Sequence, residues 1–234
     1  MNELLDSAVA AHGGLDRWNQ VKSITFDASI TGAFWHLKGK GDALKDVCLE
    51  VDTTRQLVTI EFAGQDKRSV FEPQRVVVQR GDGTLIEARE DPERSFDGHQ
   101  FETPWDDLHL AYFVGEAQWT YVNMPFLATR PGFTTEEIAP IEAAGETWRR
   151  LRVTFPDRIK SHSRQQILCF GQDGLLRRHD FTIDLLGAVP SQLEATGYCD
   201  VDGIIFPTTR RAYDQLNPDY PLMVAIDMDK ITLR

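Results

Sequence analysis

Residues 105–127 read WDDLHLAYFVGEAQWTYVNMPFL, and this stretch decides the architecture. Trp105, Leu108, Tyr112, Gly115, Trp119 and Val122 form one helical stripe, while Leu110, Phe113, Val114, Ala117 and Tyr121 cover much of the remaining circumference. A helix that is apolar nearly all round is buried on most sides or lines a cavity. The segments around it alternate like strands, and a long antiparallel sheet covered by one such helix tends to enclose a pocket for something apolar.

Working outward, Asn2 to Ala11 places Leu4, Leu5, Ala8 and Val9 at helical spacing, and Gly13-Gly14 supplies a left-handed stop. Leu15, Trp18 and Val21 predict one further turn. From Ser23 the period changes to two, with Ile24, Phe26, Ala28 and Ile30 alternating with polar neighbours. Strands are predicted near Trp35–Lys38, Asp46–Asp52, Gln56–Phe62, Lys67–Phe71, Arg75–Arg80 and Thr84–Arg89, separated by turn signals at hairpin spacing. Glu90 to Pro104 is polar and turn-rich and reads as the loop into the long helix. After Pro131 strands are expected at Thr135–Ile141, Glu146–Phe155, Arg164–Phe170, Leu175–Ile183, Leu193–Val201, Ile204–Tyr213 and Leu222–Leu233.

About a dozen strands in meander order admit a closed barrel, a sandwich or a curved sheet wrapped round a helix. A barrel would leave the 105–127 helix outside with too many apolar faces, and a sandwich would more often need Greek-key crossovers. The expected fold is mainly β (α+β): a strongly curved antiparallel sheet, a half-open and unclosed barrel, with an N-terminal helix and a central helix over the concave face. With no repeat, low-complexity tract or linker, one domain is expected over residues 1–234.

Composition narrows the partners. Lys and Arg total 25 against 36 Asp and Glu, a net charge of -11 that repels phosphate backbones, so no nucleic-acid partner is expected. No apolar run approaches the ~20 residues of a membrane span, so no integral membrane segment is expected. The opening NELLDSAVAAHGG has no basic n-region and no continuous apolar core, and the expected location is cytoplasmic. Cys48, Cys169 and Cys199 are widely spaced and odd in number, and read as reduced packing residues. No metal-ligand spacing, GxSxG, GxGxxG or P-loop occurs, so neither metal nor cofactor is expected and no catalytic residue is assigned.

Strand parity identifies candidate polar groups on the inner face. Arg149 shares parity with Leu151, Val153 and Phe155, and Arg177 and His179 share parity with Leu175, Phe181 and Ile183. An inward arginine needs a partner, either an inward acid or the carboxylate or phosphate of a ligand. The aromatics Trp105, Tyr112, Phe113 and Trp119 are candidates to face an apolar ligand. Histidines His109, His162 and His179 are candidate bases, and His109 and His179 are taken with the aromatics and the two arginines as ligand-binding residues.

The whole-chain plan, a helix ending in AHGGLDRW, a meander, a mid-chain helix and closing strands, resembles the superfamily of bacterial lipoprotein carriers and receptors of the LolA and LolB type. That resemblance implies an unclosed antiparallel barrel capped by helices over an apolar cavity. The chain also resembles a set of uncharacterised soluble bacterial proteins through LHLAYFVGEAQWTY, GETWRRLRVTFP, SHSRQQ, GIIFPTTRRAY and LMVAIDM. The expected function is binding of a hydrophobic or amphipathic, lipid-like small molecule between sheet and helix. Two alternatives stay open. One is an enzyme acting on such a molecule, with His179 or His109 as base and Arg149 or Arg177 stabilising an anion. The other is a non-catalytic scaffold whose core is filled.

Overall fold

A computed structural model describes residues 2–214 and 221–234. Its helices are α1 (Glu3–Ala11), α2 (Leu15–Trp18), α3 (Ala33–Leu37) and α4 (Asp107–Asn123). The first strands are β1 (Ser23–Thr31), β2 (Val47–Asp52), β3 (Val58–Phe62), β4 (Arg68–Glu72), β5 (Arg75–Gln79) and β6 (Leu85–Glu90). After α4 come β7 (Thr134–Ala143), β8 (Glu146–Thr154), β9 (Gln165–Phe170), β10 (Leu176–Ile183), β11 (Val189–Val201), β12 (Ile204–Tyr213) and β13 (Leu222–Leu233).

All of these strands form one antiparallel sheet in the order β6-β5-β4-β3-β2-β1-β13-β12-β11-β10-β9-β8-β7. The chain enters at the middle of the sheet, steps outward by hairpins to β6, crosses through α4 to the far edge at β7, and steps back until β13 pairs with β1. The sheet is mainly β architecture, curved and unclosed, with α4 on its concave side, as the sequence predicts. In β1 the alternation is realised residue by residue, with Ile24, Phe26, Ala28 and Ile30 buried between half-buried neighbours. Among the described residues no helix is long and apolar enough to cross a membrane.

Two elements differ from expectation. Trp35 to Lys38, read as a strand, belongs to α3 and its cap. Phe34 and Trp35 are neighbours that are both buried, which a strand facing one core cannot achieve and a helical turn can. The other difference is in β11, which starts at Val189 rather than Leu193. Gly187 and Ala188 take positive φ and complete the turn early, so Val189 to Gln192 pair with β10. Cys199, expected as a packing residue, is exposed.

Helix α4 is the centre of the packing. Leu108 through Asn123 are all buried, so the helix has no solvent face and its polar residues must find partners inside. It begins at Asp106, whose carboxylate accepts from the backbone N–H of His109 at 2.8 Å while His109 Nδ1 accepts in return from the Asp106 N–H. It lies against β3, β4 and β5, with Tyr112 edge-on to Phe71 at 5.5 Å and Trp119 Nε1 donating to the Asp52 carbonyl at 2.9 Å. Gly115 sits directly on Phe71, where an added Cβ would come within 2.3 Å of the Phe71 Cβ.

Helix α1 docks through His12. Its Nδ1 donates to the Ala8 carbonyl at 2.8 Å and its Nε2 accepts from the Leu176 N–H at 3.4 Å, so the neutral ring serves both bonds. Burial, reinforced by the Arg210 guanidinium, holds the His12 pKa down at about 4. His179 on β10 is likewise fully buried and held well below the usual imidazole value.

Two outcomes are expected. Gly115→Ala, which in an open helix would add up to ~1 kcal/mol, should instead lower stability by about 1 to 3 kcal/mol through overpacking on Phe71, as read by urea denaturation. Stability should also rise with pH between about 4 and about 6.5. The unfolded chain takes up the His12 proton below its ordinary value of 6.5 while the folded chain refuses it until about 4. The contribution is therefore complete above 6.5 and lost on acidification, on the order of 3 kcal/mol for His12. Denaturation of His12→Asn across this window should give a shallower slope; an unchanged slope would remove His12 from the account.

Candidate functional site

The seat of α4 on β3–β5 leaves space on its other flank. A cavity of about 330 Å³ lies between α4 and strands β10–β13, within the size range of small-molecule pockets. Helix α4 contributes Phe113, Val114, Ala117, Gln118 and Tyr121, a face at i, i+1, i+4, i+5 and i+8. Phe34 and Trp35 of α3 form one end, and Phe181 and Ile183 of β10 form a wall. Val189, Pro190, Ser191 and Leu193 of β11, Ala212 and Tyr213 of β12, Asp214 just after it, and Met223, Val224 and Ile226 of β13 also line it. A second, more open groove of about 1110 Å³ runs along Asp27, Lys45, Asp46, Glu61 and Lys230. Its charges are of both signs, and Lys230 pairs with Asp27 at 2.7 Å.

Phe101 closes the cavity from the loop before α4. Lys38 holds that loop: its ammonium donates to the carbonyls of Gln100, Phe101 and Thr103 and lies 4.7 Å from the Trp105 ring centroid. Burial holds the Lys38 pKa down at about 8.

The polar groups on the cavity wall are few and ordered. His162 lies between Phe113 and Phe181, with ring centroids at 4.7 and 4.9 Å. Its Nδ1 is 2.9 Å from the Glu116 carboxylate and its Nε2 is 3.0 Å from the Tyr121 hydroxyl, all three groups being buried. This is a carboxylate–imidazole–phenol chain in a dry setting, the arrangement that fixes an imidazole tautomer and lets its far nitrogen exchange a proton. Burial pushes the Tyr121 pKa up, so the phenol stays protonated. Gln118 is 2% exposed, and its Oε1 has no partner among the described residues.

Of the eight residues singled out from the sequence, Phe113 lines this cavity. Trp105 packs behind it at 4.8 Å, and Tyr112 and Trp119 face the sheet. His109 is the cap partner of Asp106, with Nε2 at 3.2 Å from the Ser95 carbonyl. Arg149 pairs with Glu137 through two bonds of 2.8 and 2.9 Å at a partly exposed site. Arg177 is a correction of parity. A β-bulge between Leu176 and Arg178 resets the alternation, so Leu176 is buried and Arg177 is held among Glu146, Asp173 and Tyr198. His179 does face inward, with Nε2 at 2.5 Å from Gln166 Oε1, but it lies behind Tyr121 and Phe181 rather than on the cavity wall. Among the described residues no group of three or more His, Cys, Asp or Glu side chains could hold a metal ion.

Glu116 and Gln118 had a sequence signal: they are the acid and the amide in the middle of an otherwise apolar helix, where a polar side chain needs a reason. His162, in a loop far from α4 in sequence, had none beyond its ring.

An unclosed antiparallel sheet wrapped over a buried helix is the LolA-like fold, and solved structures bear this out. A DUF1329 family protein from Desulfovibrio piger matches with a TM-score of 0.56 at 13% identity, covering 98% of this chain and 91% of its own. A LolA superfamily protein from Nitrosomonas europaea matches with a TM-score of 0.53 at 10% identity, covering 99% and 92%. At such identities the likeness is one of fold. No protein-family model and no curated protein matches the chain by sequence.

The buried chain makes a definite energetic prediction. Glu116→Ala strips His162 of its partner and should cost on the order of 3 kcal/mol, whereas Glu116→Leu combined with His162→Phe should recover a good part of that. Equal and additive losses in a denaturation double-mutant cycle would mean that the two groups do not act as a pair.

Proposed function

We propose that the protein binds a hydrophobic or amphipathic small molecule in the cavity between α4 and β10–β13. The observation that carries this reading is the cavity itself, about 330 Å³ walled by Phe34, Trp35, Phe113, Phe181 and aliphatic side chains with a few placed polar groups. Burial of an apolar tail there contributes about 25 cal/mol per Å² removed from water, and rigid rings bind it at low entropic cost. A filled core, the scaffold alternative, leaves no such space. The LolA superfamily protein that shares the fold lends the reading an analogy and no more.

A second reading, an enzyme acting on the same ligand, is favoured by His162 and Tyr121 on the wall, with Glu116 behind His162. In that reading His162, oriented by Glu116, takes a proton from a ligand hydroxyl through Tyr121. His162→Gln would then keep ligand affinity and abolish product, measured by mass spectrometry of the extracted ligand before and after incubation.

The binding reading is tested by native mass spectrometry of protein purified from several hosts, followed by titration of the delipidated protein with decan-1-ol. Wild type should carry or take up one apolar molecule. Ala117→Phe, which fills the cavity from its helical wall, should lose that molecule while keeping or raising the unfolding temperature. Undiminished binding by Ala117→Phe, or no uptake by wild type, would place the ligand elsewhere or nowhere.

A further inference from the structure

Gln118 lies on the cavity face of α4, next to Ala117 and within a turn of Tyr121, and is 2% exposed. Its Oε1 has no hydrogen-bond partner, and among the described residues its amide nitrogen makes no bond either. The other buried amides are all engaged. Gln56 exchanges two bonds with the Lys160 backbone, at 2.7 and 2.8 Å. Gln166 bonds the Ser163 carbonyl at 2.9 Å and the His179 ring at 2.5 Å, and Asn123 donates to the Trp119 carbonyl at 2.8 Å. Those three amides tie the chain together, whereas Gln118 lines a cavity and ties nothing. A buried amide without a partner is costly, and a chain keeps such a group where something else completes it.

The rest of the wall restricts the head group. His162 and Tyr121 are already bonded to each other at 3.0 Å, with Glu116 behind His162. Among the described residues no lysine or arginine lines the cavity, while Asp214 does. An anionic head would therefore meet an acid and no positive charge, and a buried unpaired charge is expensive. A hydroxyl carries no charge and both donates and accepts, so it can bond a glutamine amide at either end. The cavity has room for on the order of ten water-sized groups.

We propose that Gln118 is the polar seat of this cavity and that the ligand is a neutral amphiphile, an alcohol with an apolar tail of about ten carbons. The inference rests on the binding reading and adds the head group to it. The ligand hydroxyl bonds the Gln118 amide, and the tail lies along Ala117, Phe181 and Phe34. A site that hydrogen-bonds a hydroxyl discriminates against the analogue lacking it, because the site's own buried polar group is then left unpaired. Gln118 thus sets which apolar molecules are held, and the rings and aliphatic side chains set how tightly.

The test is a cycle of two ligands and two proteins. Decan-1-ol and dec-1-ene are titrated into delipidated wild type and Gln118→Leu, read by tryptophan fluorescence with Trp35 on the wall as reporter. Gln118→Leu replaces an unbonded amide by an apolar group of similar size, so it should fold and be at least as stable as wild type. It should bind decan-1-ol about tenfold more weakly than wild type does, the worth of one buried hydrogen bond, and dec-1-ene as tightly or more so. An equal loss for both ligands, or no loss for decan-1-ol, would overturn the hydroxyl seat while leaving the apolar cavity standing. Wild type alone supplies a second comparison: it should prefer decan-1-ol to decanoate and to decylamine by at least about tenfold. Either charged ligand binding as tightly as decan-1-ol would overturn the neutral head group. If wild type takes up neither decan-1-ol nor dec-1-ene, the binding reading itself fails and this inference with it. The wild-type comparison decides the matter even if the variant does not fold.

Discussion

The contact between Gly115 and Phe71 sets the position of everything else. Because α4 presents no side chain at that point, its backbone comes down onto β4, and the helix lies off-centre in the trough of the sheet. One flank is then fully packed by Tyr112 and Trp119, and the opposite flank faces β10–β13 across open space. A larger residue at 115 would move the helix toward the middle and consume that space. Close packing on one side and a cavity on the other are two aspects of one displacement.

That displacement also accounts for where the polar groups lie. A helix with no solvent face has to place its polar side chains inside: Gln118 lines the cavity, and Glu116, on another face of the helix, meets His162. Glu116 finds His162, brought in by the loop between β8 and β9, and His162 finds Tyr121 five residues along the same helix. The dry setting strengthens these bonds and raises the penalty for disrupting them. On the packed flank, by contrast, Trp119 satisfies its single N–H with a strand carbonyl and nothing further is asked of it.

The sheet, the helix and their antiparallel order were legible in the sequence because both depend on periodicity, which β1 and α4 display without interruption. The site was much less so. Parity failed at Arg177 because one extra residue in the strand, invisible to a period-two pattern, turns every side chain before it to the other face. Val189 and Pro190 were hidden because a proline so close to Gly187-Ala188 suggests a continuing turn, although the turn ends at Ala188, two residues before the proline. The rings of α4 were correctly seen as interior, yet which of them meet the cavity depended on the depth at which the helix sits.

The pairing of β1 with β13 has a consequence for how the chain acquires its shape. Nearly every strand neighbour in the sheet is also a neighbour in sequence, so each hairpin closes a short loop. The central seam, with Ile24 opposite Leu233 and Ile30 opposite Ile226, joins strands about two hundred residues apart. Loop-closure entropy grows only with the logarithm of length, so this seam costs about 2 to 3 kcal/mol more than a hairpin. Two locally assembled ribbons therefore meet along a single distant line, and the trough that receives α4 exists as one surface only once that line has closed.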